Sequence, residues 1–198
     1  MEKSYAQSRE DLLVKEALEY LKIEEPIRYL DIGVSDPIIY NNTYFFYERK
    51  SRGVLVEPVP GYVARIQKIR PEDLLIEGVI GLNDEPQAVV RIIGGHGGGS
   101  RIVKDKATAG KRFVIVNQYR INNVLLSHFF YEPPQFLSID IEGYDLDILK
   151  EINYERFKIP VICAETKGKI APWVISFMET KGYKKFKSTQ DNSIFVMG

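Results

Sequence analysis

The sequence is poor in the features that announce a partner or a compartment. It holds one cysteine, Cys163, in 198 residues, which excludes a disulfide framework and any cysteine-based zinc spacing. It carries no net charge: 27 basic side chains meet 27 acidic ones, so no overall field draws the chain to nucleic acid or to an anionic surface. No apolar run approaches the ~18 residues that cross a bilayer, and the opening "MEKSYAQSREDLL" has no apolar signal core. The expectation is one domain over 1–198, in a reducing cytosol, with no membrane insertion and no nucleic acid. A chain of this size buries roughly 70% of the surface its unfolded form exposes. The sequence specifies no oligomeric state.

One shortage is local. The stretch "IRYLDIGVSDP" is a short apolar run ending in an acid and a glycine, as a nucleotide loop begins, yet Val34, Ser35, Asp36 and Pro37 follow. A pyrophosphate needs several backbone N–H groups at a helix N-terminus, and glycines that let it approach, hence G-x-G-x-x-G. A single glycine and the added Asp36 disfavour a diphosphate cofactor, and with it an NAD(P)-dependent oxidoreductase. A cationic or zwitterionic ligand tolerates both.

What is present reads as an α/β domain. Ser8 and Asp11 form a candidate capping pair, and Val14, Ala17, Leu18 and Leu21 make one apolar face of a helix within residues 1–26. Five buried-type runs follow, "RYLDIG", "GVLVEP", "LLIEGVIG", "QFLSIDIEG" and "IPVICAE", with helical patterns between them, as in a parallel sheet covered on both faces. "YKKFKS" and "NSIFVM" close the chain as an antiparallel pair. Residues 86–118 hold "GGHGGGS" between alternating runs, which predicts a hairpin-like insertion with a glycine-rich tip, a candidate lid.

Ligands of open α/β sheets bind outside the carboxyl ends of the strands. Asp31 and Gly33, Glu57, Asn83 and Asp84, Asp140 and Glu142, and Glu165 stand at those ends. A carboxylate ending the second strand can accept hydrogen bonds from both hydroxyls of a ribose, which marks Glu57. S-adenosylmethionine carries a sulfonium, an ammonium and a ribose, and Asp31 with Glu57 match its cationic and hydroxyl parts.

Three phrases, "LDIGVSDPIIYNNTYFFYERKSRGVLVEP", "IRPEDLLIEGVIG" and "PPQFLSIDIEGYDLDILKEI", together resemble the FkbM family of S-adenosylmethionine-dependent O-methyltransferases. The resemblance implies a class I methyltransferase, a Rossmann-like fold on a mostly parallel seven-stranded sheet. Its strand order would be 3-2-1-4-5-7-6 with strand 7 antiparallel, and the glycine-rich insertion would lie before strand 4. By position, Asp31, Gly33 and Ser35 look like the first cofactor motif, Glu57 and Pro58 like the ribose site, and Asn42 and Thr43 like the loop over the methionine end. Leu82, Asn83 and Asp84 fall where the adenine is held.

The resemblance also implies a small-molecule acceptor hydroxyl, of a sugar or glycan precursor. Methylating it needs a base near the acceptor oxygen. Asp140 and Glu142, two apart on one strand, point to one side if the strand stays extended, one toward the cofactor amino group and one toward the acceptor. His96 in the glycine tip is the third candidate base. Asp140, Glu142 and Glu165 could converge on a divalent cation, but acids at strand ends do not establish one, and no metal is expected. Arg101, Lys104, Lys106, Lys111 and Arg112 give the insertion a basic flank, either a solvated face or a meeting place for a phosphorylated or nucleotide-linked sugar. A member that binds without turnover also fits the sequence.

Overall fold

The computed structural model describes residues 2–93 and 99–198. Helix α1 (Glu10–Tyr20) opens the domain with Val14, Ala17 and Leu18 buried, as their spacing predicts. Its start is not the expected Ser8–Asp11 cap. Arg9 takes the N-cap place in a left-handed conformation, with no side-chain cap. Asp11 turns back instead, accepting from the Ser4 hydroxyl and the Tyr5 N–H, both at 2.6 Å, so it anchors the N-terminal strap rather than the helix end.

The chain then alternates strand and helix: β1 (Arg28–Ile32), α2 (Tyr44–Glu48), β2 (Arg52–Glu57), α3 (Pro60–Ile69) and β3 (Leu74–Ile80). Pro60 begins α3 where its missing N–H costs nothing. Next come β4 (Gln87–Arg91), β5 (Arg101–Val103), α4 (Lys106–Ala109), β6 (Phe113–Tyr119) and α5 (Ile121–His128). The last third is β7 (Phe136–Ile139), α6 (Asp145–Glu151), β8 (Val161–Glu165), α7 (Ala171–Thr180), β9 (Tyr183–Ser188) and β10 (Asn192–Met197).

These strands form one sheet in the order β5-β4-β6-β3-β2-β1-β7-β8-β10-β9. From β3 onward this is the expected 3-2-1-4-5-7-6 order, with β10 antiparallel to both β8 and β9. The count differs from the seven expected, because the insertion does not stand apart as a hairpin. β4 and β5 do pair antiparallel, but β6 pairs parallel with the free edge of β3 and antiparallel with β4, so the sheet has ten strands. An exposed edge strand is a liability, and the insertion covers that of β3.

Strand alternation sorts the core into two layers. Leu30 and Ile32 of β1 face one way, with Val54, Val56, Leu137 and Ile139, against α5, α6 and α7. Tyr29 faces the other way with Leu55, Phe136 and Val161, against α1, α2 and α3. A smaller cluster, Val79, Ala88 and Val90 with Ile102, Val114 and Val116, holds the insertion to β3. Among the described residues, no helix is long and apolar enough to cross a membrane.

Candidate active site

A cavity of about 220 Å³ opens beyond the carboxyl ends of β1, β2, β3 and β7. Gly33, Val34 and Ser35 line it from the turn after β1, Glu57 and Pro58 from the end of β2, and Gly78, Val79 and Ile80 from β3. Asp140, Ile141, Glu142 and Tyr144 line it from the turn after β7, and Gly99 to Ile102 of the insertion wall it opposite. Six of the sequence-predicted residues therefore meet there: Gly33, Ser35, Glu57, Pro58, Asp140 and Glu142.

Gly33 is required by its own neighbours. Its φ is 87°, in the left-handed region, and a Cβ at this position would run into the Asp140 carbonyl oxygen. The exits of β1 and β7 thus pass backbone against backbone, and the Gly33 N–H is spent on the Val56 carbonyl at 3.0 Å. Glu57 is nearly sealed from solvent. One carboxylate oxygen accepts from the Ser35 N–H and the other from the Val59 N–H, each at 2.8 Å. These bonds orient the carboxyl and leave further lone pairs for a ligand. Burial outweighs them and pushes its pKa up to about 7.

Asp140 leaves the strand as β7 ends. It is exposed and lines the cavity. Desolvation, followed by the charges of Asp145, Glu165, Glu142 and Asp31, raises its pKa to about 8. The extended geometry expected to align Asp140 with Glu142 does not persist: β7 stops at Ile139, and Glu142 sits in the left-handed region at φ 55°. Glu142 is exposed, on the side where Gly99 of the insertion approaches, and a Cβ on Gly99 would lie 3.7 Å from its Oε1.

The acid that joins Asp140 is Asp145, which sequence reasoning missed although it closes "EGYD". It is fully buried at the start of α6 and accepts from the Ile141 and Gly143 N–H groups at 3.3 Å. Burial, then Glu165, raises its pKa to about 7. Asp140, Asp145 and Glu165 offer oxygens within 4.8 Å of one another, so this set, and not the expected one with Glu142, is what could hold a hard cation.

Other predicted residues lie outside the lining. Asp31 shares the Tyr29 face of β1, which turns it under the cavity toward α3. It accepts from the Thr43 hydroxyl at 2.6 Å, and burial raises its pKa against the opposing pull of Arg70. Arg70, also missed, is the hub of this layer. Its guanidinium donates to Asp73, Asn41, Tyr29 and Thr43 at 2.8–3.2 Å while fully buried. Asn41 ties the same loop together, accepting from the Thr43 and Tyr44 N–H groups and donating to the Val34 and Asp36 carbonyls. Its signal was an asparagine in the loop just ahead of α2, where an Asx turn forms with the N–H two residues on; Arg70 left none. Asn42 donates to Ser138 at 3.2 Å. Leu82 packs on the core, Asn83 accepts from Gln118 on β6, and Asp84 pairs with Arg120 at 3.2 Å. His96, and with it the glycine tip on which the lid reading rests, lies outside the described residues.

The donor set fits S-adenosylmethionine on its chemistry. Glu57 presents an oriented carboxylate at the end of β2, Asp140 and Asp145 have no cation paired with them among the described residues, and the turn after β1 has a single glycine instead of G-x-G-x-x-G.

Comparison with known proteins agrees. Solved structures with a similar fold include SAH-bound methyltransferase PaMTH1 of Podospora anserina, 12% identical, covering 98% of this chain and 80% of that one at a TM-score of 0.50. Precorrin-6y C5,15-methyltransferase of Geobacter metallireducens GS-15 is 14% identical over 98% of this chain and 92% of its own, with a TM-score of 0.47. Aeropyrum pernix fibrillarin with natively bound S-adenosyl-L-methionine is 12% identical over 92% and 73%, with a TM-score of 0.46. At 12% identity the likeness to PaMTH1 bears on fold alone. A search of curated proteins gave no match. The family described as "Methyltransferase FkbM domain" matches residues 31–185, which sets aside the oxidoreductase reading. The chain belongs to the FkbM methyltransferase family, and its cofactor is S-adenosylmethionine.

Proposed function

We propose that this methyltransferase acts on oxygen, at a hydroxyl of a sugar or glycan precursor. The observation that carries the proposal is the convergence of Glu57, Asp140 and Glu142 on one cavity, with Glu142 on the side of the insertion. When bound, S-adenosylmethionine supplies the methyl group at its sulfonium. Glu57 would hold the ribose hydroxyls, with Ser35 and Pro58 beside it, and Gly33 would let the chain pass close. Asp140, whose carbonyl abuts Gly33, belongs to the cofactor side and would face the ammonium. Glu142, which faces the insertion, belongs to the acceptor side and would take the proton of the acceptor hydroxyl. Asp31, Asn42 and Thr43 would act from beneath, by fixing the loop between β1 and α2, and Leu82 to Asp84 by shaping the adenine end. His96 is the rival base.

Incubation with S-adenosylmethionine labelled in its methyl group, against monosaccharides, sugar phosphates and nucleotide sugars, tests the reading by locating the label with NMR. Label on oxygen, lost in Glu142→Gln while S-adenosylhomocysteine still binds, is the expected result. Label on nitrogen, sulfur or carbon overturns it, and a Glu142→Gln variant as active as the parent moves the base to His96.

A further inference from the structure

Two residues of the cavity wall, Tyr40 and Gln7, have no part in the cofactor reading, and Tyr40 is held there under strain. Its φ is 56°, in the left-handed region, where a bulky side chain is a true outlier and persists only when its surroundings fix it. They fix it from both sides. Ahead of it, Asp36 accepts from the Ile38 and Ile39 N–H groups at 3.0 Å, and its other oxygen is bound by Arg65 of α3. Behind it, the Asn41 side chain ties back to the Val34 and Asp36 carbonyls, and Arg70 donates to its oxygen at 3.2 Å. Packing does not offset the strain. Tyr40 is 71% exposed, and among the described residues its ring pairs with no other ring and its hydroxyl has no hydrogen bond.

A tightly fixed loop therefore brings a bare aromatic ring to the cavity. The N-terminal strap that carries Gln7 is fastened to the same loop: the Asn41 N–H donates to the Tyr5 carbonyl at 3.1 Å, and the Tyr5 and Tyr44 rings meet edge to face at 4.8 Å. Gln7 is exposed too, and its amide, unbonded among the described residues, offers both donors and an acceptor. An electron-rich ring face and an uncharged amide in one cavity suit a sugar, which has C–H groups on the face of its ring and hydroxyls at the rim. The loop after β1 also stands two strands from the turn after β3, where the adenine end falls, which leaves the ring for the acceptor. We infer that Tyr40 and Gln7 bind the methyl acceptor, the ring stacked on the face of a sugar and the amide bonded to its hydroxyls. This rests on the sugar acceptor proposed above.

The test is saturation-transfer NMR on protein saturated with S-adenosylhomocysteine, with methyl glucoside, methyl galactoside and methyl mannoside as probes. At least one should bind, with the transfer strongest to the protons on one face of its ring. Tyr40→Ala should weaken that sugar by at least about fivefold and Gln7→Ala by at least about threefold, while Tyr40→Phe holds it. A sugar that binds Tyr40→Ala like the parent overturns the inference, as does no binding of any probe to the parent at about 50 mM. S-adenosylhomocysteine affinity, read separately by calorimetry, should be the same in Tyr40→Ala as in the parent. A fall that matches the sugar's overturns the inference, because the ring would then serve the cofactor. A second arm needs no sugar. Glycine relieves the backbone at this φ, so Tyr40→Gly should melt no more than about 2 °C below the parent, and a larger fall overturns the inference because the ring would then hold the loop. Methyl label found on a molecule other than a sugar sinks the acceptor reading and leaves this melt to be judged by itself. Label that reaches a sugar in Tyr40→Ala at the parent's KM sinks the role of Tyr40 alone.

Discussion

Glu57 offers the sharpest quantitative handle, because its geometry and its ionisation point to the same ligand. Each carboxylate oxygen already holds one backbone N–H, so the carboxyl cannot swing, and each keeps room for one ribose hydroxyl. Hydroxyl donors favour the ionised form, whereas burial alone favours the neutral one and sets the pKa near 7. Adenosine isolates this effect, since it brings the ribose without the ammonium or sulfonium that would engage Asp140. With a pKa near 7, about a tenth of the sites are ionised at pH 6 and about nine tenths at pH 8, so adenosine affinity should rise about tenfold across that range. Glu57→Gln turns one acceptor into an NH₂ facing a backbone N–H and removes the charge from two hydrogen bonds. A charged bond contributes about 1.5–3 kcal/mol, so at pH 8 the variant should bind adenosine at least about tenfold more weakly, with a flat pH profile. Equilibrium dialysis or calorimetry from pH 6 to pH 8 reads both quantities. A flat profile in the parent protein, or unchanged affinity in the variant, would refute the assignment of Glu57 to the ribose.

Other expectations follow from the same geometry. Glu57, Asp140 and Asp145 all have folded pKa values raised to about 7 or 8. The folded state therefore holds more protons than the unfolded one, and their stabilising contribution, complete below about pH 4, is lost as pH rises to about 8. Thermal melts without cofactor should fall from pH 5.5 to pH 8.5; a melting temperature that rises over this range contradicts the raised values. Binding S-adenosylmethionine at pH 7 should release protons, measured by calorimetry in buffers of different ionisation enthalpy, and Asp140→Asn should reduce that release. Gly33→Ala, which places a Cβ against the Asp140 carbonyl at φ 87°, should cost at least about 2 kcal/mol in denaturant unfolding. Arg70→Met leaves Asp73 buried without its cation and should cost about 3–5 kcal/mol, and lysine should not restore it because it lacks the four-donor fork.

Much of this could be read along the chain, and the failures share a cause. Runs such as "RYLDI" and "VICAE" alternate or stay apolar over strand length, so β1 and β8 were visible, as was the antiparallel pair after Gly182. What the pattern could not supply was pairing between distant segments. β6 joins β3 through Gly78, where a side chain would meet the Asn117 carbonyl, and that fit belongs to two strands together. Asp31 was taken for a cavity residue because it ends a strand. Its even spacing from Tyr29 places it on the α3 side, where Arg70 waits, and only the tertiary fold brings residue 70 to residue 31. The pairing of Asp140 with Glu142 assumed an extended chain through residue 142, but the strand ends three residues earlier and the turn hands the partnership to Asp145.

That turn suggests why a neutral protein gathers acids at one edge. Asp145 and Glu165 both raise Asp140, Glu165 raises Asp145 in turn, and no lysine or arginine among the described residues forms an ion pair with Asp140 or Asp145. Structural carboxylates elsewhere in the same molecule are matched, as Asp73 is by the buried Arg70 at 2.8 Å, so the chain does not lack the means to neutralise an acid. Leaving these two uncompensated sacrifices stability above pH 7, and a cationic ligand restores it by lowering their pKa values as it binds. Neutralising the edge from within, with a lysine in place of Tyr144 on the cavity wall, should therefore raise the melting temperature at pH 8 and weaken S-adenosylmethionine together. If the two move independently, the acids are there for some reason other than the cofactor's charge.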